Sequence, residues 1–190
     1  MVRPPINDGL SRAHLEYSRA GGGIRRPEVM LIESGVEMHR FSSTKQIKNG
    51  KLYPTNSKDW AGGSWWVLNE DYRKIISRFK KGNLNLGTTA RSALAVQPSW
   101  SLMDVTIKAV VIHDMYVFHG RGSTQYLDVL PNGISITLAG WPDVTQIYIP
   151  GMRGAARRNL RVKKQKVISS HSMGFWLEFS QLICLFCVLA

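Results

Sequence analysis

The chain has 190 residues, enough for one domain with a buried core, and its 44% hydrophobic and 20% charged residues exclude a disordered chain. There are 25 Lys and Arg residues against 13 Asp and Glu, which gives a formal net charge of +12. This excess favours polyanionic partners, namely nucleic acid, an acidic membrane or phosphate-bearing ligands, or else it serves only solubility and non-specific attraction.

The first 34 residues are predicted to form a basic N-terminal arm. Leu10–Ala20 has short helical character, and Gly21–Gly23 and Arg25-Arg26-Pro27 interrupt the chain after it. Val29–Ile32 is a candidate for a short strand. Because the arm holds no apolar segment of the signal-peptide type, no secretory signal is expected.

Residues 35–170 are predicted to form a single α+β domain with its helices in the first half. The clearest helix begins near Asn69, which is a candidate N-cap, because apolar side chains then recur at helical spacing. The elements predicted in this half are strand Val36–Phe41, a polar loop over 42–57, strand Ser64–Val67, helix Asn69–Lys81 and a short helix from Thr88 or Thr89 to about Val96.

The second half of the domain is rich in strands. Apolar or alternating runs are separated by turn residues such as Pro131-Asn132-Gly133. Helices followed by a run of strands favour an α+β fold over an alternating parallel sheet. The predicted strands are Val105–Ile112, Met115–His119, Ile134–Leu138, Val144–Ile149 and Leu160–Ser169.

Residues 171–190 form an apolar C-terminal segment. We expect a packed terminal helix or strand, with a tail anchor as the alternative, because polar residues interrupt a stretch that barely reaches the length of a membrane span. Membrane contact through this segment is not expected. Cys184 and Cys187 have C-x-x-C spacing, but their neighbours are apolar and no second ligand pair follows, so no metal site is expected.

Three segments are candidates for a ligand site, since the sequence contains no Rossmann, P-loop or zinc-protease motif. The first carries Arg40 on a strand, followed by hydroxyl side chains from Ser42 onward. The second, Gly62–Trp66, sets small residues beside two indole rings. In the third, Gly140–Gly151, a turn leads Gln146 onto the start of an apolar strand.

The residues of each segment can either contact a ligand or have an ordinary structural or surface role. An arginine on a strand can clamp a pyrophosphate through paired N–H donors, or it can be a surface cation. Trp65 and Trp66 can stack on a ligand or anchor the core. Gln146 can orient a ligand through its amide, or it can be an ordinary strand residue on the wetter face.

The order of the three segments resembles that of the ADP-ribosyltransferase superfamily. An arginine on an early strand precedes an aromatic strand and a helix, and a turn then leads into Thr145–Pro150. Most transferases of this type have glutamate where this chain has Gln146, and glutamine there is similar to the necrotizing-toxin type NAD glycohydrolases. The stretch Tyr116–Gly120, ahead of Gln125, is also similar to those toxins. The resemblance implies an ADP-ribosyltransferase-like split β-sandwich with short helices preceding the main strands.

The resemblance also implies a chemistry, in which NAD is the substrate and its nicotinamide–ribose bond is cleaved. Capture of the ribose by water, as in a glycohydrolase, and transfer to a protein or nucleic acid acceptor both stay open. The toxin-like type implies an immunity or antitoxin partner, and action in the cytoplasm or in the cytoplasm of a target cell. The implied catalytic residues are Gln146 and Arg40, and the implied NAD-binding residues are Arg40, Ser42, Trp65, Trp66 and Tyr72.

A basic tract near the end of the domain supports a rival prediction. It contains no acidic residue, so it is either a solvated face or a contact for nucleic acid phosphates. The rival functions are a non-enzymatic nucleic-acid-binding protein and a viral or phage structural protein. The residues predicted to bind nucleic acid are Arg153, Arg157, Arg158, Arg161, Lys163, Lys164 and Lys166.

Overall fold

A computed structural model describes residues 3–48, 51–82, 84–128 and 135–168, which form an antiparallel sheet with a few short helices. The predicted α+β class is therefore confirmed. The helices are α1 (Tyr17–Gly23), α2 (Asn69–Lys81), α3 (Leu86–Leu94) and α4 (Ala155–Arg158), with a 3₁₀ helix at Ser57–Gly62. The strands are β1 (Glu28–Ile32), β2 (Glu37–Ser42), β3 (Lys45–Lys48), β4 (Lys51–Pro54), β5 (Trp65–Leu68), β6 (Val105–Val111), β7 (Met115–Arg121), β8 (Gln125–Asp128), β9 (Ser135–Leu138), β10 (Thr145–Tyr148) and β11 (Leu160–Val167).

Seven strands form the main sheet in the order β1-β7-β10-β5-β2-β6-β11, and each neighbouring pair is antiparallel. No two neighbours in this order are consecutive among the described strands, so the sheet depends on long-range pairing. The strands β3 and β4 form one separate hairpin, and β8 and β9 form another. The sequence predicted a loop where β3 and β4 lie, and it predicted β9 but not its partner β8.

The short strand β5 joins the two halves of the sheet. Its first half pairs with β10, where Trp65 lies opposite Tyr148, and its second half pairs with β2, where Leu68 lies opposite Met38. The backbone of β5 therefore pairs with β2 only at its far end. Near Trp65 the strands β2 and β5 run without backbone pairing, which leaves a split in the sheet.

Alternating side chains place apolar clusters on both faces of the sheet. Trp66 and Ile107 belong to the cluster on one face, whereas Val67 packs on the other face with Phe41 and Ile75 of α2. A third cluster, around Phe118, lies beneath α1. Because both faces are covered, the strands that border the split are held from either side.

The helices α2 and α3 begin at different kinds of cap. Helix α2 starts at Asn69 itself with Leu68 as its N-cap, and the amide of Asn69 is bonded to His39 rather than to the helix. In α3 the side chain of Asn85 accepts a hydrogen bond from the backbone N–H of Thr88 at 2.8 Å. Both predicted helices are thus found: α2 has its predicted bounds but Leu68 rather than Asn69 as its N-cap, and α3 begins at Leu86, ahead of the predicted Thr88 or Thr89.

The N-terminal residues, which were predicted as a basic arm, instead complete the sheet domain. Ile6 forms a bridge to Met115, Leu10 and Ala20 are buried, and β1 pairs with β7 as an edge strand. The apolar C-terminal segment lies outside the described residues. Among the helices that the structure describes, none combines the length and hydropathy that a membrane crossing needs.

Replacing Phe118 tests the cluster that attaches the N-terminal residues. Its ring is fully buried and packs edge-on against Tyr17 with ring centroids 5.4 Å apart. We expect Phe118→Ala to lower the free energy of unfolding by about 3–5 kcal/mol in a denaturant titration. The matched control Tyr126→Ala removes a ring that is 73% exposed and should change it by no more than about 0.5 kcal/mol. Equal losses in the two variants would contradict this packing.

Candidate functional site

A cleft of about 650 Å³ lies at the split between β2 and β5. This volume is within the usual range for pockets that hold small molecules, which is about 300–1,000 Å³. Its walls come from β2, β5, the start of β10, the 3₁₀ helix with Gly63 after it, and the loop that follows α3. Arg40, Trp65 and Gln146 are all part of the lining.

The guanidinium of Arg40 bridges the split in the sheet. Its Nε donates to the carbonyl of Trp60 at 2.9 Å, and Nη1 donates to the carbonyl of Trp65 at 2.7 Å. Burial lowers the pKa of Arg40 to about 10, so the group stays protonated at neutral pH. It forms no ion pair with a described carboxylate, and its Nη2 has no hydrogen-bond partner in the described part of the chain. An unneutralised cation with free donors is therefore present in the cleft.

Gln146 is held by a backbone carbonyl from the end of α1. The side chain is buried, and its Nε2 donates to the carbonyl oxygen of Gly23. The Oε1 atom has no hydrogen-bond partner among the residues described. The bond to Gly23 thus fixes the carboxamide and leaves an acceptor for a ligand hydroxyl.

The two neighbouring tryptophans have different roles because they point to opposite faces of β5. Trp66 is 1% exposed, lies in the core, and donates from Nε1 to the carbonyl of Gly63 at 2.8 Å. Trp65 is half-buried and packs edge-on against Tyr148 at 4.8 Å. Both rings belong to the lining of the cleft, but Trp66 is part of the core, and Trp65 is the less buried of the two.

Hydroxyl groups close one end of the cleft. Ser42 is buried and belongs to the lining, and the Oγ of Ser43 lies 2.8 Å from the Oγ of Ser101. Thr55 donates to the carbonyl of Ser43 at 2.7 Å and accepts from the indole of Trp60 at 2.9 Å. These bonds join β2, the 3₁₀ segment and the loop after α3 into one wall.

Tyr72, which was predicted to bind NAD, is not part of the described lining of the cleft. Its ring stacks on His39 with centroids 3.8 Å apart, and the Nε2 of His39 lies 3.1 Å from the Oδ1 of Asn69. Burial lowers the pKa of His39, and the bond to Asn69 acts in the opposite direction. This stack attaches α2 to β2 next to Arg40.

The residues of the basic tract lie in three different parts of the structure. Arg153 lines the cleft, while Arg157 and Arg158 belong to α4. The remaining members, Arg161, Lys163, Lys164 and Lys166, are exposed on the edge strand β11, which has a register shift near Lys163. Lysines and an irregular register protect edge strands from pairing with other chains, and this accounts for part of the tract. Nucleic acid binding by these residues stays a prediction.

The sequence did not single out Trp100, and it pointed to Gly63 only as one of the small residues in the segment Gly62–Trp66. A Cβ atom at Gly63 would overlap the guanidinium of Arg40, so only glycine leaves room for that side chain. Trp100 lines the cleft and is 55% exposed. Neither role has a local signature, because each depends on which distant segment lies next to the residue.

Comparisons with known proteins do not assign the chain to a family. No family model and no curated protein matches the sequence. One solved structure with a related arrangement is that of Rhs1-CT in complex with its cognate immunity protein RhsI1; the TM-score is 0.46 at 11% sequence identity, and the alignment covers 77% of this chain and 85% of that chain. The described residues contain no group of three or more His, Cys, Asp or Glu side chains that could hold a metal ion.

The pH dependence of stability tests the environment of His39. Since the folded protein holds the pKa of His39 below its ordinary value of 6.5, the unfolded chain takes up the proton first as the pH falls. Protonation of His39 therefore has little effect on the free energy of unfolding above about pH 6.5 and lowers it below that pH. We expect His39→Phe, which keeps a ring against Tyr72, to lose less stability than the wild type between about pH 7 and about pH 5.

Denaturant titrations at several pH values measure this difference. The control Asn69→Ala removes the bond that favours the protonated ring, and it should make the loss of stability steeper than in the wild type. Identical pH profiles for the wild type and His39→Phe would show that burial does not perturb this histidine.

Proposed function

We propose that the protein binds NAD in the cleft and hydrolyses the nicotinamide–ribose bond. The observation that carries the proposal is that Arg40, Trp65 and Gln146, which are far apart in the chain, line one cleft of a size suited to a small-molecule ligand. A cation, an aromatic ring and an uncharged acceptor are the groups that a dinucleotide requires for its phosphates, its nicotinamide and its ribose. The necrotizing-toxin type resemblance favours the same chemistry.

Each residue has a defined role in this proposal. The free Nη2 of Arg40 donates to the pyrophosphate, and its positive charge adds to this contact because no described carboxylate neutralises it. The ring of Trp65 lies against the nicotinamide. The Oε1 of Gln146 accepts a hydrogen bond from a ribose hydroxyl, in an orientation fixed by Gly23.

The reaction breaks the bond between C1′ of the ribose and the nicotinamide nitrogen. The electron pair of this bond leaves with nicotinamide, whose ring is cationic in NAD and so needs no proton to depart. Positive charge develops on the ribose, the oxygen of a water molecule bonds to C1′, and that water releases a proton to solvent. The products are nicotinamide and ADP-ribose.

Water is the acceptor that the cleft supports best. Transferases of the resembling family use a glutamate at the position of Gln146, and a carboxamide cannot ionise to orient an acceptor or to support the cationic sugar. Asp59 is the one acidic residue in the described lining, and it is exposed. The role of Gln146 is therefore positional. An immunity or antitoxin partner and a cytoplasmic place of action remain predictions.

Removal of the carboxamide tests the proposed site. We expect Gln146→Ala to lower the rate of nicotinamide release from NAD by about 100-fold or more, because the fixed acceptor that orients the ribose is lost. The matched control Gln165→Ala changes the same residue type at an exposed position on β11 and should leave the rate unchanged. If the wild-type protein leaves NAD intact at high protein concentration, the proposal is wrong.

The substitution Arg40→Lys tests the phosphate contact. Lysine keeps the charge, but its donors all lie on one nitrogen and cannot replace the planar guanidinium, whose separate nitrogens contact two carbonyls and leave Nη2 for a phosphate. We therefore expect KM for NAD to rise about tenfold or more. The control Arg12→Lys, at an exposed position, should leave KM unchanged. A thermal melt of each variant separates lost binding from lost folding. An unchanged KM in a folded Arg40→Lys variant would show that Arg40 does not bind the phosphates of NAD.

A further inference from the structure

We propose that Trp100 stacks on the adenine base of the bound dinucleotide, an inference that rests on the proposed function of the cleft. Three other indole rings in the lining already have contacts within the protein: Trp66 lies in the core, Trp65 packs against Tyr148, and Trp60 donates to Thr55. Trp100 differs because it lines the cleft and is still 55% exposed. A large ring that is exposed at a cleft is a surface for a flat ligand.

The loop that carries Trp100 is anchored on both sides of the ring. Buried Arg91 of α3 donates to the carbonyl of Val96 at 3.0 Å and to the carbonyl of Ser101 at 2.6 Å. Burial lowers the pKa of Arg91 to about 10, and the group stays charged at neutral pH. One side chain on α3 thus holds the residues that precede and follow the tryptophan.

Further bonds tie the same loop to β2 and to β8. The Oγ of Ser43 accepts from the backbone N–H of Leu102 at 2.8 Å, and Gln97 donates to the side chain of Gln125 at 3.1 Å. The backbone N–H of Trp100 donates to the carbonyl of Gln97 at 3.0 Å, which closes a tight turn. The indole is therefore presented by a braced turn, and little conformational entropy is lost when it contacts a ligand.

The position of Trp100 selects the adenine end of NAD. Gln146 is buried, so the nicotinamide ribose that it binds must lie deep in the cleft. The other end of the dinucleotide then reaches the solvent-exposed part, where Trp100 lies. Stacking on an aromatic side chain tolerates any base with a π-face, and adenine is the base available there.

Binding of fragments measured by tryptophan fluorescence tests the inference without requiring catalysis. We expect AMP and ADP-ribose, which contain adenine, to quench the fluorescence of the wild-type protein, and nicotinamide mononucleotide to change the fluorescence of the wild type and of Trp100→Phe to the same extent. The quench should vanish in Trp100→Phe and persist in Trp141→Phe, the matched control at a tryptophan outside the described lining. Quenching by AMP that survives in Trp100→Phe would overturn the inference.

Kinetics give a second readout. In Trp100→Ala we expect KM for NAD to rise about tenfold with little change in kcat, and Trp100→Phe should restore most of the loss because it keeps a ring. A wild-type protein that binds ADP-ribose through Trp100 but leaves NAD intact would support this inference and contradict the proposed hydrolysis. If the wild-type protein cleaves NAD and Trp100→Ala leaves KM unchanged, the proposed hydrolysis is supported and the inference about Trp100 is contradicted.

Discussion

The guanidinium of Arg40 occupies the gap where two strands of the sheet stop pairing, and the cleft depends on that arrangement. Backbone carbonyls of successive strand residues point to opposite sides, and the carbonyl of Ser64 accepts from Ile149 on the β10 side. The carbonyl of Trp65 therefore faces β2, where Arg40 donates to it in place of a backbone N–H. A buried carbonyl is satisfied, and a positive charge is fixed beside a cavity. The side chain that supports the sheet here is thus also the one proposed to bind the ligand.

Close packing around this gap requires residues without side chains. At Gly63 a Cβ atom would overlap Arg40, and at Gly23 it would overlap the ring of Trp65. The carbonyl of Gly23 also orients Gln146, so the N-terminal residues contribute directly to the proposed site. An arm that merely preceded the domain would not have this effect. The clusters on both faces of the sheet hold these contacts in register.

The electrostatics of the cleft agree with the chemistry proposed for it. The guanidinium of Arg40 is charged, desolvated and unpaired with a described carboxylate, and Lys45 and Arg153 add positive charge to the same lining. A phosphate-bearing ligand would therefore replace water at groups that are already arranged. The net charge of +12 is only partly concentrated here, because much of the basic tract lies on the edge strand.

Local pattern was sufficient for the elements that depend on neighbours in the chain. The alternation in Val105–Val111 and the helical spacing after Asn69 predicted β6 and α2, and the sequence also singled out Arg40 and Gln146. The hairpin of β3 and β4 was predicted as a loop, since four-residue strands leave little periodic signal.

Burial, by contrast, was decided only by tertiary structure. Trp65 and Trp66 are adjacent and chemically identical, and alternation along β5 places them on different faces of the sheet. How deeply each ring is buried depends on the segments that pack on its face. The same holds for Trp100, whose place in the cleft depends on bonds from Arg91 and Ser43. Composition and local pattern were enough to predict the α+β class and the chemical types of side chain available for a site. Long-range strand pairing decided which of those groups meet, because no local propensity encodes the neighbours of a strand in a sheet.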